Sequence, residues 1–412
     1  MNKLLLITLL GAALIATSCN NEHNANAEEN QQVTDSLPPV ETGKANTNYK
    51  PAFEGQTRIN GVKTSTPYES KVITNKLKSP WGIAVLPDGR LLITEKEGVL
   101  RIVSADGTVS EAIKGLPTVD SDGQGGLLGI TLDPNFASNR TVYWVFSEPV
   151  NGGNHTAVAK GQLAEDEKSI TGAKVIYRTT PTYNGKLHYG GRVIFDKTGH
   201  LIVSSGERSD LETRPKAQDL KSTLGKLVRI TKEGQPAADN PFAGKADALP
   251  EIYSYGHRNP QGIAFHPETG DLWEVEFGPR GGDELNRIAA GKNYGWPTIT
   301  YGIEYAGAAI GNPPIQAKEG MEQPVYYWDP VLSPSGMTFY TGDAIPEWKN
   351  NLFIGGLSST HIARLVIKDN KVVGEERLLA KEGERFRDVV QGKNDELFAV
   401  TDGGKLYSIG KK

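Results

Sequence analysis

From about residue 80 onward the chain alternates between short apolar runs and clusters of turn-forming residues, and the alternation recurs six times. Pro87, Asp88 and Gly89 precede the apolar run 91–94, and Gly98 leads to a second run at 100–103. The later units repeat the scheme: turn 133–140 before runs 142–146 and 157–163; turn 196–199 before 201–204 and 226–230; turn 267–270 before 272–275 and 284–288. Turn 346–351 comes before 352–354 and 361–366, and turn 392–395 before 397–400 and 405–409. Runs this short, bounded by Gly, Pro, Asn and Asp, predict strands. A strand pair repeated every ~50 to 75 residues predicts an all-β, six-bladed β-propeller with four-stranded blades. One blade alone buries neither face, so neighbours must cover each other around a ring. An irregular β-sandwich uses the same turns but does not repeat a multi-strand unit six times. Residues 68–77 alternate loosely and precede the first unit, which makes them the candidate outer strand that closes the last blade.

The N-terminal pattern is different. Lys3 is followed by an uncharged, mostly apolar run at 4–16, too short to span a bilayer stably and ending in small residues before Cys19. Residues 1–18 read as a signal peptide of lipoprotein type, and Cys19 stands where acylation requires a cysteine. The expected location is therefore outside the cytoplasm: a lipoprotein facing the periplasm or the cell surface, touching membrane only through its lipid anchor. Residues 19–66, rich in Asn, Glu, Thr and Pro, hold few large apolar side chains and read as a disordered tether. Residues 67–412 remain as one propeller domain, since no second polar linker divides them.

Composition removes several chemistries. Cys19 is the only cysteine among 412 residues, which excludes an intramolecular disulfide, a cysteine zinc site and a thiolate nucleophile. A net charge of −4 argues against a nucleic-acid surface. The glycines at 123, 125 and 126 lack the dinucleotide spacing, because Leu128 stands where a third glycine is needed. Asp120, Asp122 and Gly125 open like a helical-hand calcium loop, but Thr131 stands where the bidentate Glu belongs. No Walker lysine, zincin helix or Gly-x-Ser-x-Gly elbow is present.

What remains lies beside the repeat strands, where a propeller presents loops at one mouth of its channel. His188 is followed by two glycines, which lets an imidazole face a cavity; it is a candidate proton acceptor, or a histidine satisfied in a turn. Arg258 and Asn259 set a fixed cation beside an amide, suited to an anionic or multi-carbonyl ligand or to a polar turn that caps a blade. Gly278 and Pro279 precede Asp283 and Glu284, a supply of hard oxygen donors suited to Ca²⁺ or a solvated acidic face. Arg385 and Arg387 alternate on a strand-like stretch, so both point to one side.

The segments GQGGLL, HYGGR, SYGHRNPQG, EFGPRGGDE, GKNYGWP, SPSGMTFY and RFRDV, in this order from about residue 80 to the C-terminus, resemble the soluble aldose sugar dehydrogenases that use pyrroloquinoline quinone, the family that also contains soluble glucose dehydrogenase. The resemblance implies a six-bladed propeller holding quinone and Ca²⁺ in its central mouth. It implies that His188 is the general base, with Arg258 as its catalytic partner. Gln124, Arg258, Asn259, Tyr305, Gly356, Leu357, Ser358, Arg385 and Arg387 would surround the quinone. Gly278 and Pro279 would offer main-chain oxygens to a catalytic Ca²⁺, and Glu284 with the Tyr294 carbonyl would hold a second, structural Ca²⁺. Ser358 departs from the pattern, since relatives often place a lysine there.

The expected reaction is oxidation of the anomeric C1 hydroxyl of an aldose to a lactone, with hydride passing to the quinone and electrons leaving for an unidentified acceptor. Glu207 is the candidate to orient the imidazole. A monomer or a homodimer is compatible with the sequence. A calcium-dependent propeller hydrolase such as a lactonase, and a non-catalytic sugar-binding propeller, are the competing readings.

Overall fold

In the computed structural model, which describes residues 37–412, each predicted strand pair becomes the second and third strand of an antiparallel blade. Blade 1 is Pro80–Val85, Leu91–Glu95 and Val99–Val103, with bridges from Leu100 to Ile113 and from Val103 to Val109 supplying its outer edge. Blade 2 is Leu127–Leu132, Thr141–Val150, Gly153–Leu163 and Ile170–Arg178, and blade 3 is Val193–Phe195, Leu201–Ser205, Lys226–Ile230 and Ile252–Tyr255. Blade 4 is Pro260–Phe265, Leu272–Glu276, Asp283–Ile288 and Tyr326–Trp328. Blade 5 is Pro334–Phe339, Leu352–Gly356, Ile362–Lys368 and Lys371–Leu378. Blade 6 is Phe386–Gln391, Leu397–Thr401 and Leu406–Lys411, completed by Tyr68–Thr74, which pairs Thr74 with Leu406 and Tyr68 with Lys411. The first strands of successive blades touch one another, and that of blade 6 returns to blade 1, so the ring is closed.

The core is correspondingly divided into slabs between blades. Along Thr141–Val150 the side chains of Val142, Trp144 and Phe146 enter the slab shared with blade 1, while Tyr143 and Val145 enter the slab shared with blade 3. A strand's side chains alternate between faces, and here both faces are buried, which is why the run reads as continuously apolar. The same arrangement seats Ile83, Leu91 and Ile93 against Phe398, Val400 and Leu406 at the closing seam.

Residues 37–66, which the sequence places in a disordered tether, instead form a strap on the propeller. Asn60–Gly61 lies parallel to the outer edge of blade 5, pairing Gly61 with Glu375, and Leu37–Pro39 pairs with it in turn. Ile59 packs against the core between blades 4 and 5, and polar contacts to fixed groups supply much of the rest. Thr64 gives its N–H and hydroxyl to Glu376 at 2.9 and 2.6 Å, Gln56 donates to Pro324 O at 2.9 Å, and the Arg58 guanidinium reaches Gly43 O and Asp329 O at 2.8 and 2.7 Å. The signal segment, Cys19 and the tether up to residue 36 lie outside the described residues. Among the described residues no helix is long and apolar enough to cross a membrane.

Candidate active site

In an up-and-down blade, the residues just before the first strand and just after the second lie at the same end. Six blades therefore aim twelve short segments at one mouth. A cavity of about 710 Å³ opens there, lined by Ser79 to Trp81 and Lys96 from blade 1, Gly123 and Gln124 before blade 2, and His188 and Tyr189 before blade 3. Gln261, Phe277 to Gly281 and Asp283 come from blade 4, Val331, Ser333, Leu357 and Ser358 from blade 5, and Arg385, Arg387 and Asp402 from blade 6. Tyr305 and Asn46 complete the wall.

His188 is held from several sides. Its φ of 47° is left-handed, its N–H donates to Gln124 Oε1 at 2.8 Å, and its Nδ1 lies 2.6 Å from Glu207 Oε1. Gly190, also left-handed at φ 66°, donates its N–H to Asn259 Oδ1 at 3.0 Å; a Cβ there would stand 2.7 Å from Ser204 O, so the close approach requires glycine. The ring is 4% exposed. Burial, joined by the Arg258 charge, pushes its pKa down to about 4 against the pull of Glu207, so the imidazole is neutral at pH 7. Its other nitrogen has no protein partner among the described residues, which leaves a proton acceptor facing the cavity.

Arg258 and Asn259 stand directly behind this wall. The guanidinium donates to Gly278 O and Phe277 O at 2.6 and 3.1 Å and lies 5.2 Å from the centre of the Trp296 ring. Arg258 Nε, Asn259 Nδ2 and Glu207 Oε2 are buried without partners, three polar atoms in a site that protein groups alone leave unsatisfied. Arg385 and Arg387 do share a side, as both grip Asp402 through Nε at 2.8 Å. Burial would raise the Asp402 pKa, but Arg387 and Arg385 outweigh it and hold the carboxyl below its usual range. Tyr305 is 71% exposed at the rim, and the Ser358 hydroxyl contacts Ser333 Oγ at 2.9 Å. Gly356 is buried in its strand and is not among the residues lining the cavity.

The residues fit a flat polyanion with a hard cation. Lys96, Arg385 and Arg387 supply charge and Gln124 an amide, while Pro279 has no N–H and can present only its carbonyl. Glu284 belongs to a second donor set. Its carboxylate, with those of Glu274 and Glu276, surrounds the Asn286 amide at 3.1 to 3.4 Å, and His257 Nδ1 lies 3.3 Å from Glu276. Burial together with the Glu276 charge raises the pKa of Glu274 and of Glu284 well above the carboxylate norm, and Glu274 Oε1 and Asn286 Oδ1 have no partner. Oxygen donors crowded in this way suit Ca²⁺. Tyr294 joins this group by stacking on His257, ring centres 4.8 Å apart.

Trp81, Lys96, Gln261, Arg280 and Asp402 were missed by the sequence reading. Lys96 and Asp402 stand immediately after the second strands of blades 1 and 6, so the position rule alone would have found them.

Residues 77–408 match the family model described as Glucose / Sorbosone dehydrogenase. The aldose sugar dehydrogenase YliI of Escherichia coli is 41% identical over 343 residues, 82% of this chain and 92% of the relative. The crystal structure of the soluble aldose sugar dehydrogenase from Escherichia coli in the apo-form superposes with a TM-score of 0.80 at 40% identity, over 84% of this chain and 100% of that one. The PQQ-bound aldose sugar dehydrogenase of Streptomyces coelicolor gives 0.69 at 30% identity, over 84% and 99%.

Proposed function

Because the chain belongs to the glucose/sorbosone dehydrogenase family of sugar oxidoreductases, we propose that it oxidises the anomeric C1 hydroxyl of aldoses to lactones, using pyrroloquinoline quinone and Ca²⁺. The observation that carries this reading is a neutral, buried His188, braced by Glu207 and facing a cationic cavity. When bound, the quinone supplies the two-electron acceptor for the hydride on C1, and Ca²⁺ the positive charge that polarises it.

The protein's own residues do the rest. His188 takes the hydroxyl proton at its free nitrogen as the C–H bond breaks and the C–O bond becomes a carbonyl. Without that base, loss of hydride would leave a costly oxocarbenium ion. Glu207 fixes the ring through Nδ1 and stabilises the imidazolium once it forms. Gln124, Asn259, Tyr305, Leu357, Arg385 and Arg387 would hold the quinone, with Gly356 and Ser358 shaping the same strand end; Ser358 brings no charge, and Lys96 with the two arginines supplies it. Arg258 braces the Gly278 carbonyl, which with Pro279 would face the catalytic Ca²⁺, while Glu284 and Tyr294 belong to the second calcium site. Electrons would leave for an unidentified acceptor.

The test is reconstitution of purified apoprotein with quinone and Ca²⁺, followed by dye reduction with a panel of aldoses. No reduction by the wild type, or equal reduction by His188→Ala, would defeat the reading. Residues 1–18 as a signal peptide, Cys19 as the acylation site and 67–412 as the catalytic propeller complete the proposal. Cys19→Ala should move the protein from the membrane fraction to the soluble fraction; retention in the membrane would remove the anchor.

A further inference from the structure

The strap lies outside the stretch that the family model matches, yet it delivers a side chain to the cavity. Asn46 donates its N–H and its Nδ2 to Asp329 Oδ1 at 2.8 and 3.0 Å, and Nδ2 also reaches Pro330 O at 3.1 Å. Its remaining polar atom, Oδ1, accepts from Arg280 Nε at 3.1 Å. Arg58 secures the strap nearby, binding Asp329 O and Gly43 O. The main chain of Arg280 is fixed as well, exchanging hydrogen bonds of 2.9 and 3.1 Å with Ile303. Asn46 therefore holds one edge of the Arg280 guanidinium against a rigid wall and leaves its terminal nitrogens free.

Those nitrogens have no carboxylate partner among the described residues. Arg385 and Arg387 differ, because both are committed to Asp402. The cavity wall carries four cations, Lys96, Arg280, Arg385 and Arg387, against two carboxylates, Asp283 and Asp402. In a chain of net charge −4 this local excess of positive charge points to anionic ligands. His188, before the first strand of blade 3, and Arg280, after the second strand of blade 4, both line this cavity.

We infer that Arg280, positioned by Asn46 of the strap, is a specificity residue for aldoses that carry a carboxylate or phosphate away from the anomeric carbon. The inference rests on the sugar-oxidation reading. A guanidinium with free terminal nitrogens offers a bidentate fork to either anion.

The protein loaded with quinone and Ca²⁺ is compared on glucose, glucuronic acid and glucose 6-phosphate. The ratio of kcat/KM for each acidic sugar to that for glucose should fall about tenfold in Arg280→Ala, through KM, as expected for loss of a charge-assisted hydrogen bond. Arg280→Lys should keep most of the ratio, and Asn46→Ala should lower it about threefold in the same direction. Calorimetric binding of the three sugars reads the same ratio whether or not they are oxidised, so absent turnover would count against the proposed function while binding still decides this inference. An unchanged ratio in Arg280→Ala would overturn it. So would a fall matched by an equal loss of quinone affinity in tryptophan fluorescence, which would assign Arg280 to the cofactor instead.

Discussion

The floor and the rim of the cavity are built in opposite ways. On the floor, His188 and the groups braced behind it, Glu207, Arg258 and Asn259, are each at most 5% exposed and joined by hydrogen bonds to strand ends of blades 3 and 4. At the rim, Tyr305 is 71% exposed, and Arg280 depends on one amide from a strap outside the ring. The difference separates two tasks. A proton must be taken at a fixed atom, which demands a braced base, whereas choice among sugars can be made by groups that reach into solvent.

Substitutions on the floor should therefore cost turnover, and those at the rim affinity. The largest effect is expected from His188→Ala, with kcat falling ~10²- to 10⁴-fold; a comparable loss from any rim variant would erase the distinction. Acid should reveal the same contrast. The folded pKa of His188, about 4, lies below its ordinary 6.5, so as pH falls below 6.5 the unfolded chain takes up the proton first. The stability gained by burying a neutral ring is present above 6.5 and is lost as pH falls towards 4. Denaturant melts of the ligand-free protein should show up to about 3 kcal/mol of acid-induced loss in the wild type that His188→Ala lacks. Glu207→Gln keeps the shape but removes the charge that stabilises an imidazolium, and should lower kcat about tenfold or more with little change in KM. Smallest should be Tyr305→Ala, weakening quinone or sugar binding about threefold to tenfold at nearly constant kcat. A drop in kcat instead would place Tyr305 with the floor.

Legibility in the sequence follows burial. Second strands such as Leu91–Glu95, Thr141–Val150 and Leu397–Thr401 are buried and largely apolar on both faces between turn residues, and their pattern is plain. The first strands are hidden: Val193–Phe195 is three residues long behind a glycine-rich approach, and Pro260–Phe265 begins with Pro, Gln and Gly. Those approaches read as polar motifs because the cavity, not the core, selects them. The strap escaped notice because single polar contacts such as Thr64 to Glu376 have no periodicity. His188 and Arg258 could be assigned roles through the resemblance, but Trp81 is a lone residue inside the first strand of blade 1, and nothing local marks it; Asp402 is marked only by its position after a second strand. Gly356 is a different case, since its motif suggested a place beside the quinone and the structure sets it within the strand, behind Leu357 and Ser358 of the lining.

Closure by Tyr68–Thr74 also governs timing. The strand that finishes blade 6 is among the first parts of the ring to be synthesised, yet its partner, Leu406–Lys411, is the last. The ring cannot be sealed until the whole polypeptide has been made, and a copy truncated near its C-terminus would keep an open sheet edge beside a half-covered slab of core. Such an edge pairs readily with other chains. Incomplete copies are thereby marked for aggregation or proteolysis, while a copy that reaches Lys411 joins the first and last strands of the ring in one sheet.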